Sequence, residues 1–182
     1  IQSIYNEILD KINRQHTIED AIEGIYRLKN NGFKVIIHIM PNLPGATLEM
    51  DRKMFEYILK EETIQADEWK IYPCQTVTDT IIKKWYDEGL YKPYSDDHTN
   101  GTSYKMLDVI IHGLTRVPPY VRINRVVRDI PHKSIEGGLK CSNMRQLADY
   151  RMKKNKIVCH DIRKREVKYK TIDPNDIILD II

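Results

Sequence analysis

Hydrophobic and polar positions alternate along the chain in two patterns, one typical of amphipathic helices and one typical of buried strands. The first helical pattern lies between Thr17 and Gly32, where isoleucines and a leucine recur three or four residues apart. Asp20 follows Thr17 at the spacing of a capping box, with Asp in the usual place of Glu. Gly32 is typical of a helix C-terminal stop. The pattern therefore predicts a helix between Thr17 and Gly32.

Three further stretches show the helical spacing. One follows the predicted N-cap Thr47, one covers residues 79–88, and one covers residues 104–117 and ends at two prolines. In the second stretch, the side chains predicted to face inward are Ile81, Ile82, Trp85 and Tyr86. Residues 92–102 are polar and rich in turn-forming residues, which predicts a loop.

Three short apolar runs, at residues 34–40, 69–73 and 121–130, predict strands. They alternate with the predicted helices, which is typical of an α/β fold with a parallel sheet. Strands of parallel sheets are buried on both faces, and the run Val-Ile-Ile-His-Ile-Met at residues 35–40 predicts such a strand. After the last strand, residues 132–156 predict a basic, mostly helical extension, and residues 157–182 a strand-rich or linker-like segment.

The composition narrows the class of protein. The chain has 182 residues, of which 41% are hydrophobic and 30% charged, as in soluble globular domains. It has neither the run of roughly 20 apolar residues of a membrane helix nor a signal-peptide pattern, so we expect no membrane partner. Three widely spaced cysteines do not indicate a disulfide framework, so we expect a reducing, cytoplasmic location. Because the chain begins with Ile1, we expect a longer natural protein.

Charge is distributed unevenly along the chain. Residues 116–170 contain 16 Lys and Arg against 5 Asp and Glu, a net charge of +11. The remaining residues contain 13 basic and 21 acidic side chains, a net charge of −8. Segregation of this size favours an anionic partner, with nucleic acid first, over a merely solvated lysine-rich surface.

The loop at residues 41–45, Pro-Asn-Leu-Pro-Gly, follows the first predicted strand and is unusually stiff. Ligands of parallel α/β folds sit at the carboxyl ends of strands, which is where this loop lies. Its two prolines fix φ and its glycine permits a close backbone approach. Spacing alone favours a tight structural turn over a ligand-facing surface, because position in a fold is only a prior for function.

Two polar residues lie within the predicted strands. His38 is in the first strand, and spacing alone favours a hydrogen-bonded core histidine over a base or ligand. Lys70 is close to the end of the second strand, where it either meets an anion in a barrel interior or faces solvent on an edge strand. The residues leave both alternatives open.

The last predicted strand carries arginines at every third position. In a regular strand Arg122 and Arg128 share one face and Arg125 lies on the other. Together with the basic residues that follow, they are suited to a phosphate backbone, with Tyr120 available for base stacking. The alternative is a solvated face with local ion pairs.

Several motifs, in order, resemble one family. The segment His-Ile-Met-Pro-Asn-Leu-Pro-Gly at residues 38–45 resembles the HxMPxLPG segment of the Elongator complex catalytic subunit, a radical-SAM and acetyltransferase protein that modifies wobble uridines in tRNA. The remaining motifs are QSIY at 2–5, NRQHT at 13–17, KIYP at 70–73, YKPYS at 91–95, RVPPYVRINRVVRDIP at 116–131, NMR at 143–145 and CHDIRKREV at 159–167. The resemblance covers nearly the whole chain.

The resemblance implies a fold and a placement within it. Residues 1–131 are similar to the later half of a radical-SAM (βα) barrel with parallel strands. Residues 132–182 are similar to a basic helical and linker extension that leads to an acetyltransferase domain absent from this chain. In the family, an upstream cysteine triad holds a four-iron four-sulfur cluster that binds S-adenosylmethionine, and acetyl-CoA is a substrate. That triad is also absent from this chain.

The resemblance further implies site residues. Those placed near S-adenosylmethionine or the acetyl-CoA-derived group are His38, Met40, Pro41, Gly45, Lys70 and Tyr72. Those placed on the tRNA backbone are Arg122, Arg125, Arg128 and Arg145, to which the charge pattern adds Lys153 and Lys154. Bacterial members place three cysteines in the linker as a zinc site, but the matching residues here are Cys159, Asp161 and Lys164, so we predict no metal site.

The leading hypothesis is a part of a tRNA-modifying enzyme that installs a carboxymethyl group on carbon 5 of the wobble uridine. We expect the chain alone to be inactive, and its partners to be tRNA and either Elongator-type subunits or the missing half of the enzyme, with a dimer possible. The alternative is a non-catalytic tRNA-binding or assembly module, and a cysteine triad encoded upstream of Ile1 would discriminate between the two. A metal-independent enzyme that uses His38 as a base is disfavoured, because spacing shows no partner carboxylate.

Overall fold

The computed structural model describes residues 1–99 and 102–179, and a parallel sheet of three strands lies at its centre. The strands, in chain order, are β1 (Ile36–Ile39), β2 (Glu68–Ile71), β3 (Gln75–Val77), β4 (His98–Thr99), β5 (Thr102–Ser103), β6 (Arg122–Val126) and β7 (Ile135–Gly138). The central sheet has the order β1-β2-β6; β1 and β6 lie within predicted strands, and β2 overlaps one but begins a residue earlier, at Glu68. The α/β class with a parallel sheet is therefore confirmed.

Helices connect these strands. In chain order they are α1 (Asn6–Lys11), α2 (Ile18–Asn30), α3 (Leu48–Lys60), α4 (Ile81–Asp87), α5 (Tyr104–Leu114), α6 (Met144–Lys154) and α7 (Ile162–Arg165). Short 3-10 turns occupy Glu62–Ile64, Tyr94–Asp96, His132–Ser134 and Pro174–Asp176. Within the part of the chain that the structure describes, none of these helices is long and apolar enough to cross a membrane.

The start of α2 has the capping geometry that the sequence predicts. The Thr17 hydroxyl accepts a hydrogen bond from the Asp20 N–H at 3.2 Å, and the Asp20 carboxylate accepts one from the Thr17 N–H at 2.8 Å. These reciprocal bonds satisfy N–H groups that have no partner inside the helix. Gly32 follows the helix with a φ of +79°, the left-handed conformation of a C-terminal stop.

The helices cover only one face of the parallel sheet. On β1, Ile37 and Ile39 are buried, whereas Ile36 is 49% exposed and His38 is exposed. The buried strand residues pack with apolar side chains of α2, α3, α5 and α6 in one core. The prediction that residues 35–40 are buried on both faces is therefore wrong, because no described helix packs on the second face. This open face belongs to the interior side of a (βα) arrangement.

The first part of the predicted basic extension, residues 132–156, packs with the rest of the protein. β7 pairs antiparallel with β3, a strand that the sequence did not predict. α6 packs on α5, and its residues Met144, Ala148 and Met152 are buried in the main core. Whether residues 131 and 132 mark a domain boundary stays a prediction.

One local prediction differs from the structure, and for another the structure favours one of its two alternatives. Ile81, predicted to face inward from α4, is 70% exposed, and α4 has no buried residue because it packs mainly on the small β3–β7 ribbon. Residues 157–179 contain α7 and one 3-10 turn but no strand, so the linker-like alternative fits the described part. Residues 100–101 of the predicted loop and residues 180–182 lie outside the described residues.

Candidate functional site

A cavity of about 500 Å³ opens at the carboxyl ends of β1 and β2, on the face of the sheet that the helices leave open. Its lining includes His38, Met40, Tyr72, Gln75, Arg125 and Arg128. Ligands of parallel α/β folds bind at this end of the strands. Five of the residues that the family resemblance places on a cofactor or on tRNA therefore line one cavity, namely His38, Met40, Tyr72, Arg125 and Arg128.

A row of three basic side chains crosses the sheet at this cavity. His38 of β1 is in register with Lys70 of β2, and Lys70 is in register with Arg125 of β6. Residues in register on neighbouring strands have side chains on the same face. Lys70 therefore stands between a cavity-lining imidazole and a cavity-lining guanidinium, which makes this edge of the cavity electropositive.

A β-bulge in β6 decides which arginines share a face. The register changes from Trp69 beside Ile123 to Lys70 beside Arg125, so that Asn124 is an extra residue. Arg122 pairs with Glu68, two positions before Lys70, and hence lies on the same face as Arg125. The prediction from regular alternation, which put Arg125 on the opposite face from Arg122, is wrong because of this bulge.

The backbone just after β6 carries an unusual conformation. Val127 has a φ of +73°, which is rare for a β-branched residue. Its side chain is buried and its N–H donates to the Ile71 carbonyl at 2.8 Å, so packing and a hydrogen bond hold this conformation. The turn brings the next residue, Arg128, to the cavity. Strained residues of this kind occur where the fold must place a neighbouring group.

The cavity is rich in positive charge. Among the described residues, no carboxylate lies within ion-pair distance of Arg125 or Arg128, and both side chains are exposed. The rings of His38 and Tyr72 meet edge to face, with centroids 5.4 Å apart. Partial burial and then the Lys70 cation lower the pKa of His38 below its usual value. The imidazole is thus neutral near pH 7 and is able to accept a hydrogen bond.

No residue of the loop at positions 41–45 lines the cavity. Pro41 is buried, and a side chain on Gly45 would meet Lys11 and Ile8, on the side of α1. Gly45 has a φ of +97°, a conformation that favours glycine, so the turn itself accounts for a glycine at this position. Met40, which directly precedes this loop, lines the cavity together with His38.

Asn42 connects this loop to residues 91–95. It has a φ of +70° and is buried. Its N–H donates to the Asp51 carboxylate at 2.6 Å, and its carbonyl accepts from the Tyr91 hydroxyl at 2.5 Å. Its side-chain amide donates to Ser95 Oγ at 2.7 Å and accepts from the Tyr94 N–H at 2.9 Å. Every polar group of this buried residue has a partner, as buried polar groups require.

Asp51 completes the same network. Its carboxylate also accepts from the Tyr94 hydroxyl at 2.6 Å. Burial raises the pKa of Asp51 to about 6, although the bonds from Tyr94 and Asn42 act in the opposite direction. Burial likewise raises the pKa of the Cys74 thiol, which lies beside this network, to about 11. Cys74 is therefore a protonated packing residue and not a nucleophile.

Two of the predicted tRNA-contacting arginines have carboxylate partners. Arg122 pairs with Glu166 and approaches Glu68 at 3.9 Å. Arg145 pairs with the fully buried Asp161 and donates to the Ile123 carbonyl at 2.8 Å. Both side chains therefore tie segments of the protein together. Their contact with tRNA stays a prediction.

The other predicted RNA-contacting residues lie away from the cavity. Lys153 and Lys154 are exposed in the last turn of α6. Tyr120 is exposed before the start of β6, whereas Arg128 follows its end, so the strand separates the two. Tyr120 is thus not placed to stack a base in this cavity.

The cysteines are distributed over three places. Cys74 and Cys141 are buried, and Cys159 is partly buried, with burial raising its pKa. The two residues that match the other positions of the family's linker zinc site make contacts within the protein. The Asp161 carboxylate accepts a hydrogen bond from the Ile123 N–H of β6 at 2.8 Å, and Lys164 pairs with Asp149 at 2.5 Å. Within the described residues, no group of three potential ligands is placed to hold a metal ion. The described residues consequently do not fit an iron–sulfur cluster.

Sequence reasoning missed the residues that support the cavity, namely Asn42, Asp51, Tyr94 and Asp161. One signal was available for the first, since a polar residue between two prolines in a buried loop requires partners. Nothing in the local pattern identifies those partners, because three of them, Tyr91, Tyr94 and Ser95, lie 49 to 53 residues away.

Comparisons with known proteins agree with this fold. The protein-family model described as the Radical SAM superfamily matches residues 1–58, and the one described as the Radical_SAM C-terminal domain matches residues 66–154. The tRNA uridine(34) acetyltransferase of Methanocaldococcus jannaschii is 40% identical over 167 residues, which is 92% of this chain and 30% of that protein. The Elongator complex protein 3 of Homo sapiens is 34% identical over 172 residues, which is 94% of this chain and 30% of that protein.

A solved structure is also similar. It is the archaeal Methanocaldococcus infernus Elp3 with an N-terminus deletion, which has a TM-score of 0.85 and 38% identity, and the match covers 96% of this chain and 41% of that chain. This chain spans about 30% of the length of the curated relatives that it matches. The two family models, the relatives and the shared fold lead to one conclusion: the chain belongs to the radical-SAM superfamily and, within it, to the Elongator complex protein 3 family.

Proposed function

We propose that this chain is part of an enzyme that modifies carbon 5 of the wobble uridine of tRNA. The observation that carries the proposal is the cavity at the strand ends, where Arg125 and Arg128 have no carboxylate partner among the described residues. The printed names of the relatives support the same substrate, because one is a tRNA uridine(34) acetyltransferase. Base modification requires the target base to leave its stack and enter such a cavity.

The cavity residues have separate roles in this proposal. Met40 and Tyr72 form an apolar and aromatic wall against S-adenosylmethionine or the acetyl-CoA-derived group, and His38 offers a neutral imidazole as a hydrogen-bond acceptor. Lys70 adds a fixed positive charge beside His38. Pro41 and Gly45 act indirectly, by holding the loop that follows Met40.

The proposal includes two cofactors that other parts of the enzyme help to bind. S-adenosylmethionine with a four-iron four-sulfur cluster supplies a radical in the superfamily, and acetyl-CoA supplies the group to be attached. The described residues contribute to orientation and to exclusion of water, which are the usual contributions of a protein to cofactor chemistry.

Contacts with the tRNA backbone come first from Arg125 and Arg128, whose guanidinium groups suit phosphate oxygens. Arg122, Arg145, Lys153 and Lys154 are further proposed contacts, with the first two already engaged by carboxylates. Elongator-type subunits or the rest of the barrel are the proposed protein partners.

The test is tRNA binding by the full chain at two or more salt concentrations. Each phosphate contact contributes about −0.7 to −0.9 to the slope of log K against log salt. We expect the double variant Arg125→Ala/Arg128→Ala to lose roughly 1.5 from this slope and to bind more weakly. The matched control is Lys53→Ala/Lys60→Ala, which removes two exposed positive charges from α3.

Two outcomes would contradict the proposal. If the unaltered chain binds no tRNA, or binds it without salt dependence, the tRNA part fails. If the arginine variant and the α3 control have the same slope as the unaltered chain, the cavity is not where the backbone binds.

A further inference from the structure

A second, larger cavity lies between α6 and the segment that follows α7. It has a volume of about 720 Å³, and we call it the linker groove, defined by Arg145, Gln146 and Asp149 of α6 and by residues 163–164 and 166–170. The cavity residues described above do not take part in it. Its lining carries five Lys or Arg side chains against two carboxylates.

Both carboxylates of the linker groove are already paired. Asp149 binds Lys164 at 2.5 Å, and Glu166 binds Arg122 of β6. By contrast, the structure shows no carboxylate within ion-pair distance of Arg163, Lys168 or Lys170 in the part of the chain that it describes. The groove therefore keeps an excess of positive charge after its internal pairs are formed, and this excess favours an anionic ligand.

A tight turn presents an aromatic ring beside these cations. The Lys170 N–H donates to the Val167 carbonyl at 3.2 Å, and Lys168 has a left-handed φ of +56°. The turn leaves Tyr169 fully exposed between the two lysines. Exposed aromatic rings flanked by positive charges are typical of surfaces that stack unpaired bases and follow their phosphates.

The linker groove and the cavity are joined along β6. Arg122, which holds Glu166 of the groove, shares a face with Arg125 of the cavity because of the bulge at Asn124. Their partners on β2 are two residues apart, so the two arginines are about 7 Å apart along the strand. Arg163 of the groove also donates to the Asn124 carbonyl. A single strand of RNA leaving the cavity along β6 thus reaches the groove next.

We propose that the linker groove is a second RNA-binding surface, where Lys168 and Lys170 bind phosphates and Tyr169 stacks an unpaired base next to the one held in the cavity. This inference rests on the proposed function, since it requires RNA to enter the cavity first. The occupant is single-stranded RNA, such as the loop of a tRNA stem-loop, because a duplex offers no free base face to Tyr169.

The first experiment measures the binding of a tRNA stem-loop to the full chain across a salt series. The variant Lys168→Ala/Lys170→Ala is compared with Lys53→Ala/Lys60→Ala, which removes the same charge from α3. We expect the groove variant to bind about tenfold more weakly and to lose about 1.5 from the salt slope, and the α3 variant to change little.

The second experiment separates stacking from charge. We expect Tyr169→Ala to weaken binding of the stem-loop about tenfold, whereas Tyr169→Phe keeps the ring and binds like the unaltered chain. A blunt-ended RNA duplex of equal length is the comparison ligand, and its binding should not change in either tyrosine variant. All these side chains are exposed, so thermal unfolding should be the same in every variant.

The results distinguish failure of this inference from failure of the proposed function. If the unaltered chain binds the stem-loop with salt dependence but the groove variants behave like the α3 control, the inference is wrong and the proposed function stands. Equal weakening by both double variants also overturns it, because total charge would then explain the binding. Loss of duplex binding in Tyr169→Ala would refute stacking on an unpaired base.

Discussion

Among single residues, Asn42 and Asp51 do most to hold the loop that carries the cavity wall. The four polar groups of Asn42 hydrogen-bond to partners between residues 51 and 95. The Asp51 carboxylate accepts from the Asn42 N–H and from the Tyr94 hydroxyl. A left-handed asparagine is tolerated better than other non-glycine residues, which suits the φ of +70° at this position. The stiffness of the Pro-Asn-Leu-Pro-Gly loop is thus set by a buried hydrogen-bond network as well as by its prolines.

The raised pKa of Asp51 gives a prediction for stability against pH. Its folded pKa is about 6 against 3.8 for the free side chain, so the folded protein holds the proton more tightly. The corresponding stabilisation is complete below about pH 4 and is lost as pH rises through about 6, with a size of about 3 kcal/mol. Asp51→Asn keeps an acceptor oxygen and cannot ionise, so it should remove this fall in stability. Urea unfolding between pH 4 and 7 measures it.

The control for this prediction is Asp10→Asn, which removes an exposed carboxylate from α1. Asp67, Glu19 and Asp20 have lowered pKa values and act in the opposite direction, so the comparison uses the difference between variant and unaltered chain. The prediction is wrong if Asp51→Asn and the unaltered chain lose stability equally between pH 4 and 6.

Among the elements, the close contact of α3 and α5 shows how one glycine sets a helix separation. A Cβ built on Gly113 of α5 would lie 2.8 Å from two ring atoms of Phe55 on α3. Phe55 is buried in the core and has little room to move. Gly113 is therefore required for this packing distance, although glycine disfavours a helix.

Gly113→Ala should destabilise the protein by about 1–3 kcal/mol, because overpacking outweighs the gain in helix propensity. Gly24→Ala in α2 is the matched control, since nothing lies within 4 Å of its Cβ, and it should be neutral or stabilising by up to about 1 kcal/mol. Thermal and urea unfolding of both variants give the comparison. Equal stability of the two alanine variants would show that α3 and α5 adjust freely.

The outer edge of β6 is covered by another segment of the chain, whereas no strand pairs with the outer edge of β1 among the described residues. On β6, the segment around α7 covers the edge, with the Ile162 N–H donating to Val121 and the Asp161 carboxylate accepting from the Ile123 N–H. The buried pair of Asp161 with Arg145 adds α6 to this contact. Loss of one partner of a buried pair is costly, so this clamp fixes β6 and with it the two cavity arginines.

Capping and periodicity explain why the helices were predictable as elements. Thr17, Thr47, Thr80 and Ser103 each accept a hydrogen bond from an N–H of the first helical turn. The short strands β3 and β7 escaped prediction because they have few residues and their pairing joins segments about 60 residues apart. The helix α4 was predicted, but its buried face was not, because burial of this helix depends on its contacts with the β3–β7 ribbon.

On the scale of the whole molecule, the outer side of β1 is open. Among the described residues no strand pairs with it, although the Met40 N–H donates to the Gln2 carbonyl at 2.9 Å. Phe33 and Ile36 are exposed nearby. Unpaired strand edges are templates for association, so this edge is where we expect the rest of the barrel or a second copy to pair.

We therefore predict that the isolated chain self-associates as its concentration rises, and that Ile36→Lys reduces this association by placing a charge beside the β1 edge. Tyr26→Lys is the control, because it changes another exposed apolar residue, on α2. Light scattering after size-exclusion chromatography gives the molar mass at each concentration. A constant monomer mass for the unaltered chain, or equal effects of both variants, would contradict the prediction.

The sequence by itself determined the main helices, the three strands of the parallel sheet, the parallel class and the family, because these depend on local periodicity, capping residues and ordered motifs. It also identified most residues that line the cavity, through the family resemblance. The tertiary structure alone decided that one face of the sheet is open, that a bulge places Arg122 and Arg125 together, and that Asn42 holds residues 91–95. The reason is physical, since register, burial and long-range hydrogen bonds depend on contacts between segments far apart in the chain.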